Sequence, residues 1–204
     1  RRWLVEAINI LIFFFFFLTL ILSVLFVGGL YYFGVMSVTK ANEAISAKQA
    51  SHNKLTSRLG GLAAILALLI GVCLTADQFI FFIVLSSTPV LVAGGLEDLG
   101  YNIKPVYRYS AGLVSGLIAI YLTGLWLDNV DFTLLTPILT FPFIAICFTA
   151  FASAGISNSI NLIDGVNGLA SGVITLIGSA LCIISFSVGE IGLGTFCIIL
   201  VGSI

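Results

Sequence analysis

Long apolar blocks separated by short polar stretches make up this chain. The blocks run over Ala7–Phe33, Gly60–Thr75, Phe79–Leu96, Ala111–Leu127, Leu134–Ala152, Leu169–Val188 and Ile191–Ile204. A helix needs roughly 20 apolar residues, in a range of ~17–25, to cross the hydrocarbon layer of a bilayer. Each block therefore predicts a membrane-crossing helix, the second being short for one and the last unfinished. The first block is longer than the ~7–15-residue apolar core of a secretion signal, so it predicts a true span. The expected fold class is all-α, a polytopic transmembrane helical bundle of about seven spans, with residues 1–204 forming a single transmembrane domain. Within the fourth block, Gly112-x-x-x-Gly116 is a weak signal for close helix approach. The Phe13–Phe17 run predicts a lipid-facing or packed face.

Composition agrees with the blocks. Hydrophobic residues make up 60% of the chain and charged residues 8%, against roughly 25% charged in soluble domains. So few charges cannot clothe a water-facing surface. The net charge of −1 gives no bulk attraction to nucleic acid. The four cysteines, Cys73, Cys147, Cys182 and Cys197, all lie in apolar runs without a CxxC pair, and predict free packed thiols. The chain begins at Arg1 and ends at Ile204 inside an apolar run, which predicts part of a longer protein.

The few charges matter by position. Lys40, Lys48, Lys54 and Arg58 lie between the first and second blocks, and Lys104 and Arg108 between the third and fourth. The turn at Asp77-Gln78 and the segment Trp126–Thr136 carry no Lys or Arg. Basic loops stay cytoplasmic, so the loops after odd-numbered spans are expected on the cytoplasmic side. Arg1 and Arg2 count against this, six residues to two.

Nearly every unusual polar residue falls in these three loops. The first ends His52-Asn53-Lys54-Leu55-Thr56-Ser57-Arg58-Leu59-Gly60-Gly61. Taken alone it is best read as cations meeting anionic headgroups. The alternative is an anion site, with the Arg58 fork on phosphate oxygens beside a glycine-rich helix start. The second loop contains Gly95-Leu96-Glu97-Asp98. Two adjacent carboxylates at the end of an apolar helix suit a hard cation, which takes one or two carboxylates plus water and phosphate. The bland alternative is a solvated helix end, with Glu97 and Asp98 paired to Lys104 or Arg108. The third loop reads Asn158-Ser159-Ile160-Asn161-Leu162-Ile163-Asp164-Gly165-Val166-Asn167-Gly168-Leu169. Neighbours in the every-third-residue series Asn158, Asn161, Asp164, Asn167 lie ~60° apart on a helix. One regular helix cannot aim all four at one spot, and Gly165 and Gly168 permit a break. An Asx-rich cap explains Asn167 but not four spaced polar groups among Ile, Leu and Val. A phosphate-containing substrate fits the three loops together. Absence of GxxxxGK[ST] argues against P-loop chemistry, and a single His without HExxH leaves a zinc hydrolase unsupported.

These three motifs, in this order, resemble the polyprenyl-phosphate N-acetylhexosamine-1-phosphate transferases of glycosyltransferase family 4. Those are undecaprenyl-phosphate GlcNAc-1-phosphate transferase-like membrane enzymes, related to phospho-N-acetylmuramoyl-pentapeptide transferase. The resemblance covers about residues 35–204. It departs from the common pattern at Leu55, often Pro, at Glu97, often Asp, and at Asn167, often Asp. It implies ten or eleven spans in the whole protein, with a further Gly-Asp segment and a His-rich loop beyond Ile204.

The implied reaction moves a sugar-1-phosphate from a UDP-sugar to polyprenyl phosphate and releases UMP. It opens O-antigen or other cell-surface polysaccharide synthesis on the cytoplasmic face of the bacterial inner membrane. The implied cofactor is Mg²⁺, with Mn²⁺ as a substitute. The resemblance assigns Asp164 and Asp98 to catalysis, Asp98 and Glu97 to the metal, and Asn158, Asn161, Asn167, Arg58 and His52 to substrate. The implied partners are the UDP-sugar, the lipid phosphate and the membrane, with no nucleic acid and a homodimer left open. Two other classes stand beside this reading: a secondary transporter, which also uses broken helices and intramembrane polar groups, and a non-catalytic truncated paralogue.

Overall fold

The computed structural model describes residues 10, 13–14, 17–18, 20–22, 24–25, 28, 60–75, 77–98, 101–163 and 168–204. Among the described residues the structure is helical and contains no strand. The helices are α1 (Gly60–Thr75), α2 (Gln78–Ser86), α3 (Thr88–Asp98), α4 (Pro105–Thr123), α5 (Thr136–Leu139), α6 (Pro142–Ile163), α7 (Leu169–Val188) and α8 (Ile191–Ser203). A bilayer enforces this economy, because an unpaired backbone group in hydrocarbon costs several kcal/mol and a helix pairs its own. Against an expectation of seven spans, α6 and α7 are long and apolar enough to cross, and α2 with α3 makes a third if that bent pair is one span. The first apolar block lies largely outside the described residues. The chain divides into two compact units, Arg1–Phe81 with Asp164–Ile204, and Phe82–Ile163.

In the first unit α8 packs against both α1 and α7. Cys197, Ile198 and Ile199 of α8 are buried, and Cys182 of α7 joins Cys197 and Ile198 with Phe186, Leu193 and Phe196 around them. The α7–α8 turn is tight because Gly189 adopts a left-handed φ of 87° and the Glu190 N–H donates to Ser185 O at 2.8 Å, closing the helix end as glycine-stopped helices do. Asp77 starts α2: its Oδ1 accepts from the Phe79 and Ile80 N–H groups at 2.8 and 3.1 Å. Its other oxygen lies against α8, where a Cβ on Gly192 would stand only 3.0 Å away. One carboxylate thus caps one helix and touches the first turn of another, where the helix dipole favours negative charge.

The third apolar block is bent by 42° between α2 and α3. Pro89 has no N–H to give the carbonyl four residues back, Leu85 O. The Thr88 hydroxyl takes that carbonyl instead, at 2.7 Å, and Ser86 and Ser87 bond Ile83 O and Val84 O in the same way. Hydroxyls thereby satisfy the carbonyls at the bend without water.

In the second unit α4 packs on α3 and α6. Pro105 opens α4, and Gly124, with φ 69°, ends it. A Cβ on Gly112 would lie 3.0 Å from Ala154 Cα, and one on Gly116 3.1 Å from Ala150 Cα. The two glycines therefore set an antiparallel, backbone-close packing of α4 on α6. Tyr109 and Phe151 stack edge-to-face beside it, with ring centroids 5.9 Å apart. Gly112→Leu is expected to destabilise the protein by roughly 1–3 kcal/mol, as overpacking does. Leu176→Val, on a side chain 73% exposed, serves as control. Denaturation in mixed micelles measures both, and equal transitions for the two variants would show that the close packing contributes nothing.

Candidate functional site

The site expected from the three loops is described in part. Arg58, His52, Asp164 and Asn167 lie outside the described residues. Asp98 is the last residue of α3, and its side chain too lies outside the description. The structure describes Glu97, Asn158 and Asn161.

The stretch expected to be a loop from Ser153 onward is helical to Ile163. Asn158 and Asn161 therefore ride on the last two turns of α6, neighbouring rows ~60° apart, with Asn158 half-buried and Asn161 exposed. Polar side chains do not end a helix when every backbone N–H still has a carbonyl four residues back. Gly168 is left-handed at φ 74° immediately before α7, and Gly165 lies outside the described residues. Asp164 directly follows the end of α6.

Glu97 is one residue from the end of α3, where the helix dipole disfavours a carboxylate. A short turn reverses the chain, with the Tyr101 N–H bonded to Leu96 O at 3.0 Å, and α4 starts at Pro105. Arg108, in the first turn of α4, reaches back. Its Nη1 donates to both Glu97 oxygens, each at 2.8 Å. The side chains are 21% exposed for Arg108 and 30% for Glu97. Arg108 Nε is buried and has no hydrogen-bond partner. The α4–α6 register that sets Gly116 against Ala150 and Gly112 against Ala154, continued by one turn, brings Arg108 level with Asn158. The Glu97–Arg108 pair, Asp98, Asn158 and Asn161 thus lie at one end of this helical unit.

Sequence reading weighed Arg108 for orientation and as a bland partner of the acids, but gave it no place in the site. The signal was there. An acid at a helix end and a base eleven residues later, across a turn too short to separate them, face each other once the helices pack.

Two adjacent carboxylates are the right chemistry for a hard cation. In the described geometry Glu97 is engaged on both oxygens by Arg108. Among the described residues no three of His, Cys, Asp and Glu come together as a ready metal cluster. An open and mostly apolar groove of about 540 Å³ follows α6 from Thr149 to Ile160, with Leu127 beside it.

The fold and this polar end define an all-helical protein with membrane-length apolar helices and a set of acid, amide and guanidinium groups gathered at a helical end. The chain belongs to glycosyl transferase family 4, whose model matches residues 80–204. That match contains Glu97-Asp98 and the whole Asn158–Leu169 motif, and excludes His52 and Arg58. The chain is 32% identical over 122 residues to a phospho-N-acetylmuramoyl-pentapeptide-transferase of Clostridium perfringens (strain 13 / Type A), covering 54% of this chain and 38% of that protein. It is 28% identical over 155 residues to a probable undecaprenyl-phosphate N-acetylglucosaminyl 1-phosphate transferase of Bacillus subtilis (strain 168), covering 74% of this chain and 43% of that protein. A shorter stretch of 56 residues is 43% identical to a phospho-N-acetylmuramoyl-pentapeptide-transferase of Staphylococcus carnosus (strain TM300), covering 28% of this chain and 17% of that protein. The chain thus spans about two fifths of the length of the first two relatives. No solved structure matches it.

Proposed function

We propose that this chain is part of a membrane phosphosugar transferase. In this reading the enzyme moves an N-acetylhexosamine-1-phosphate from a UDP-sugar to polyprenyl phosphate and releases UMP, in the first membrane step of O-antigen or related polysaccharide synthesis. One observation carries the proposal: the family match spans both acidic motifs, whose Glu97, Asp98, Asn158 and Asn161 lie in one helical unit, at the ends of α3 and α6. The relatives' names supply the substrate class. The basic loops favour the cytoplasmic side of a bacterial inner membrane, with about seven spans in this part of the chain.

Transfer of a phosphoryl group between two anions asks the protein mainly for alignment and charge neutralisation. In this reading Asp98 holds a cation or acts on the lipid phosphate, and Asp164 carries the ionic role in the third motif. Asn158 and Asn161 orient the sugar-phosphate by hydrogen bonds, with Asn167, Arg58 and His52 as further substrate contacts. Mg²⁺, when bound, would neutralise diphosphate oxygens. The mostly apolar groove along α6, which ends at Ile160, would suit a prenyl chain. The rival transporter reading would use the α2–α3 bend, but Pro89 and the Thr88 hydroxyl account for that bend without a ligand.

The test is UMP release by the purified full-length protein in detergent. Release is expected only when UDP-sugar and polyprenyl phosphate are both present, and excess EDTA should suppress it, with Mg²⁺ or Mn²⁺ restoring it. Release without lipid phosphate would remove the transferase reading, and undiminished turnover in EDTA would remove the cation from it.

A further inference from the structure

We propose that Arg108 is a positioning residue that holds Glu97 out of cation binding, leaving Asp98 as the acid of this motif that acts on the cation or the lipid phosphate. The inference rests on the transferase reading above and assigns its parts.

Four observations carry it. Each Glu97 oxygen already accepts a hydrogen bond from Arg108 Nη1 at 2.8 Å. Both side chains are half-buried. Each charge also sits at the helix end whose dipole opposes it: Glu97 at the C-terminus of α3 and Arg108 in the first turn of α4. Neither helix gains from its charge alone, and a partly exposed ion pair contributes little to stability. A pair arranged in this way is better explained by what it orients than by what it stabilises. Finally, the register of Gly112 and Gly116 on Ala154 and Ala150, continued by one turn, puts Arg108 of α4 at the level of Asn158 in the third motif.

In this assignment Arg108 takes up the charge of Glu97, and the motif offers an incoming cation or diphosphate the charge of Asp98 alone.

The geometry makes a specific demand on the residue at 108. A single nitrogen bridges both oxygens, and the planar fork is not used as a fork. An ammonium group can do the same, whereas two parallel bonds to a phosphate need the guanidinium.

The experiment uses the full-length protein in detergent, with Glu97→Gln, Arg108→Met, the double variant Glu97→Gln/Arg108→Met, Arg108→Lys and Asp98→Asn. Two quantities are measured: initial UMP release, and Mn²⁺ affinity by electron paramagnetic resonance titration. Glu97→Gln and Arg108→Met should each lose about tenfold in turnover, and the double variant should be no worse than the weaker single, as groups acting as a unit are non-additive. Arg108→Lys should recover activity to within about threefold of the parent. Mn²⁺ affinity should stay within about threefold in Glu97→Gln and fall at least about tenfold in Asp98→Asn. Multiplicative losses in the double variant, an Arg108→Lys as defective as Arg108→Met, or a Glu97→Gln that loses Mn²⁺ as Asp98→Asn does would each overturn the inference while leaving the transferase reading intact. A parent that neither binds Mn²⁺ nor releases UMP would overturn that reading, and the inference with it.

Discussion

Asp164→Asn is expected to lower UMP release by the full-length protein roughly 10²–10⁴-fold, the range for loss of a group that transfers or holds a proton in the transition state. The substitution keeps the shape and removes the charge. Asn167, three residues on, cannot replace it, because an amide neither accepts a proton from a lipid phosphate nor offers a cation a full charge. Asn167→Ala should cost far less, about 1–3 kcal/mol, as loss of one hydrogen-bonding amide does. Asn167→Asp should be tolerated, since an acid is common at this position among the proteins whose motif this one resembles. Initial rates at saturating polyprenyl phosphate measure all three. The division of roles fails if Asn167→Ala is as inactive as Asp164→Asn, or if Asp164→Asn runs near the parent rate.

Asp98→Asn should likewise abolish measurable turnover, by about 10²-fold or more, while the protein still inserts and melts as the parent does. Asp98 closes α3, and a neutral side chain is easier on the negative end of that helix than a charged one. Its replacement should therefore be neutral or slightly stabilising. Activity and stability are expected to move in opposite directions, as they do where a charge is kept for function rather than folding. Thermal melting in detergent beside UMP release decides this. A destabilised Asp98→Asn would make its inactivity a folding effect and remove the residue from the site.

The helical blocks were legible in the sequence wherever an apolar run met a local stop. Leu169–Val188 is bounded by Gly168 and Gly189, both left-handed, and α7 has the bounds read from the pattern. Gly60–Thr75 was equally plain, and Ile191 opens α8 as the pattern had it. Boundaries drifted where polarity and helicity parted company. Lys104 to Ser110 looks like a loop by charge, yet Pro105 starts α4 there. Ser153 to Ile163 looks like a loop by its serines and asparagines, yet it continues α6. Polar side chains mark the edge of the apolar layer, and a helix can run past that edge because its backbone pairs itself.

The candidate site divides in the same way. The sequence by itself determined that this is a helical protein for an apolar solvent and that it carries an acidic doublet and an Asn-rich third motif. Those follow from composition and local order, because hydrocarbon admits only self-paired backbone and leaves ionisable groups to ends and interfaces. Tertiary structure alone decided which groups meet. The choice of Arg108 over Lys104 as the partner of Glu97, the level of Asn158 beside it, and the fit of Gly112 and Gly116 on Ala154 and Ala150 all depend on the register of helices packed side by side. Register is set by where small residues let two backbones approach within contact, and no single helix carries that information.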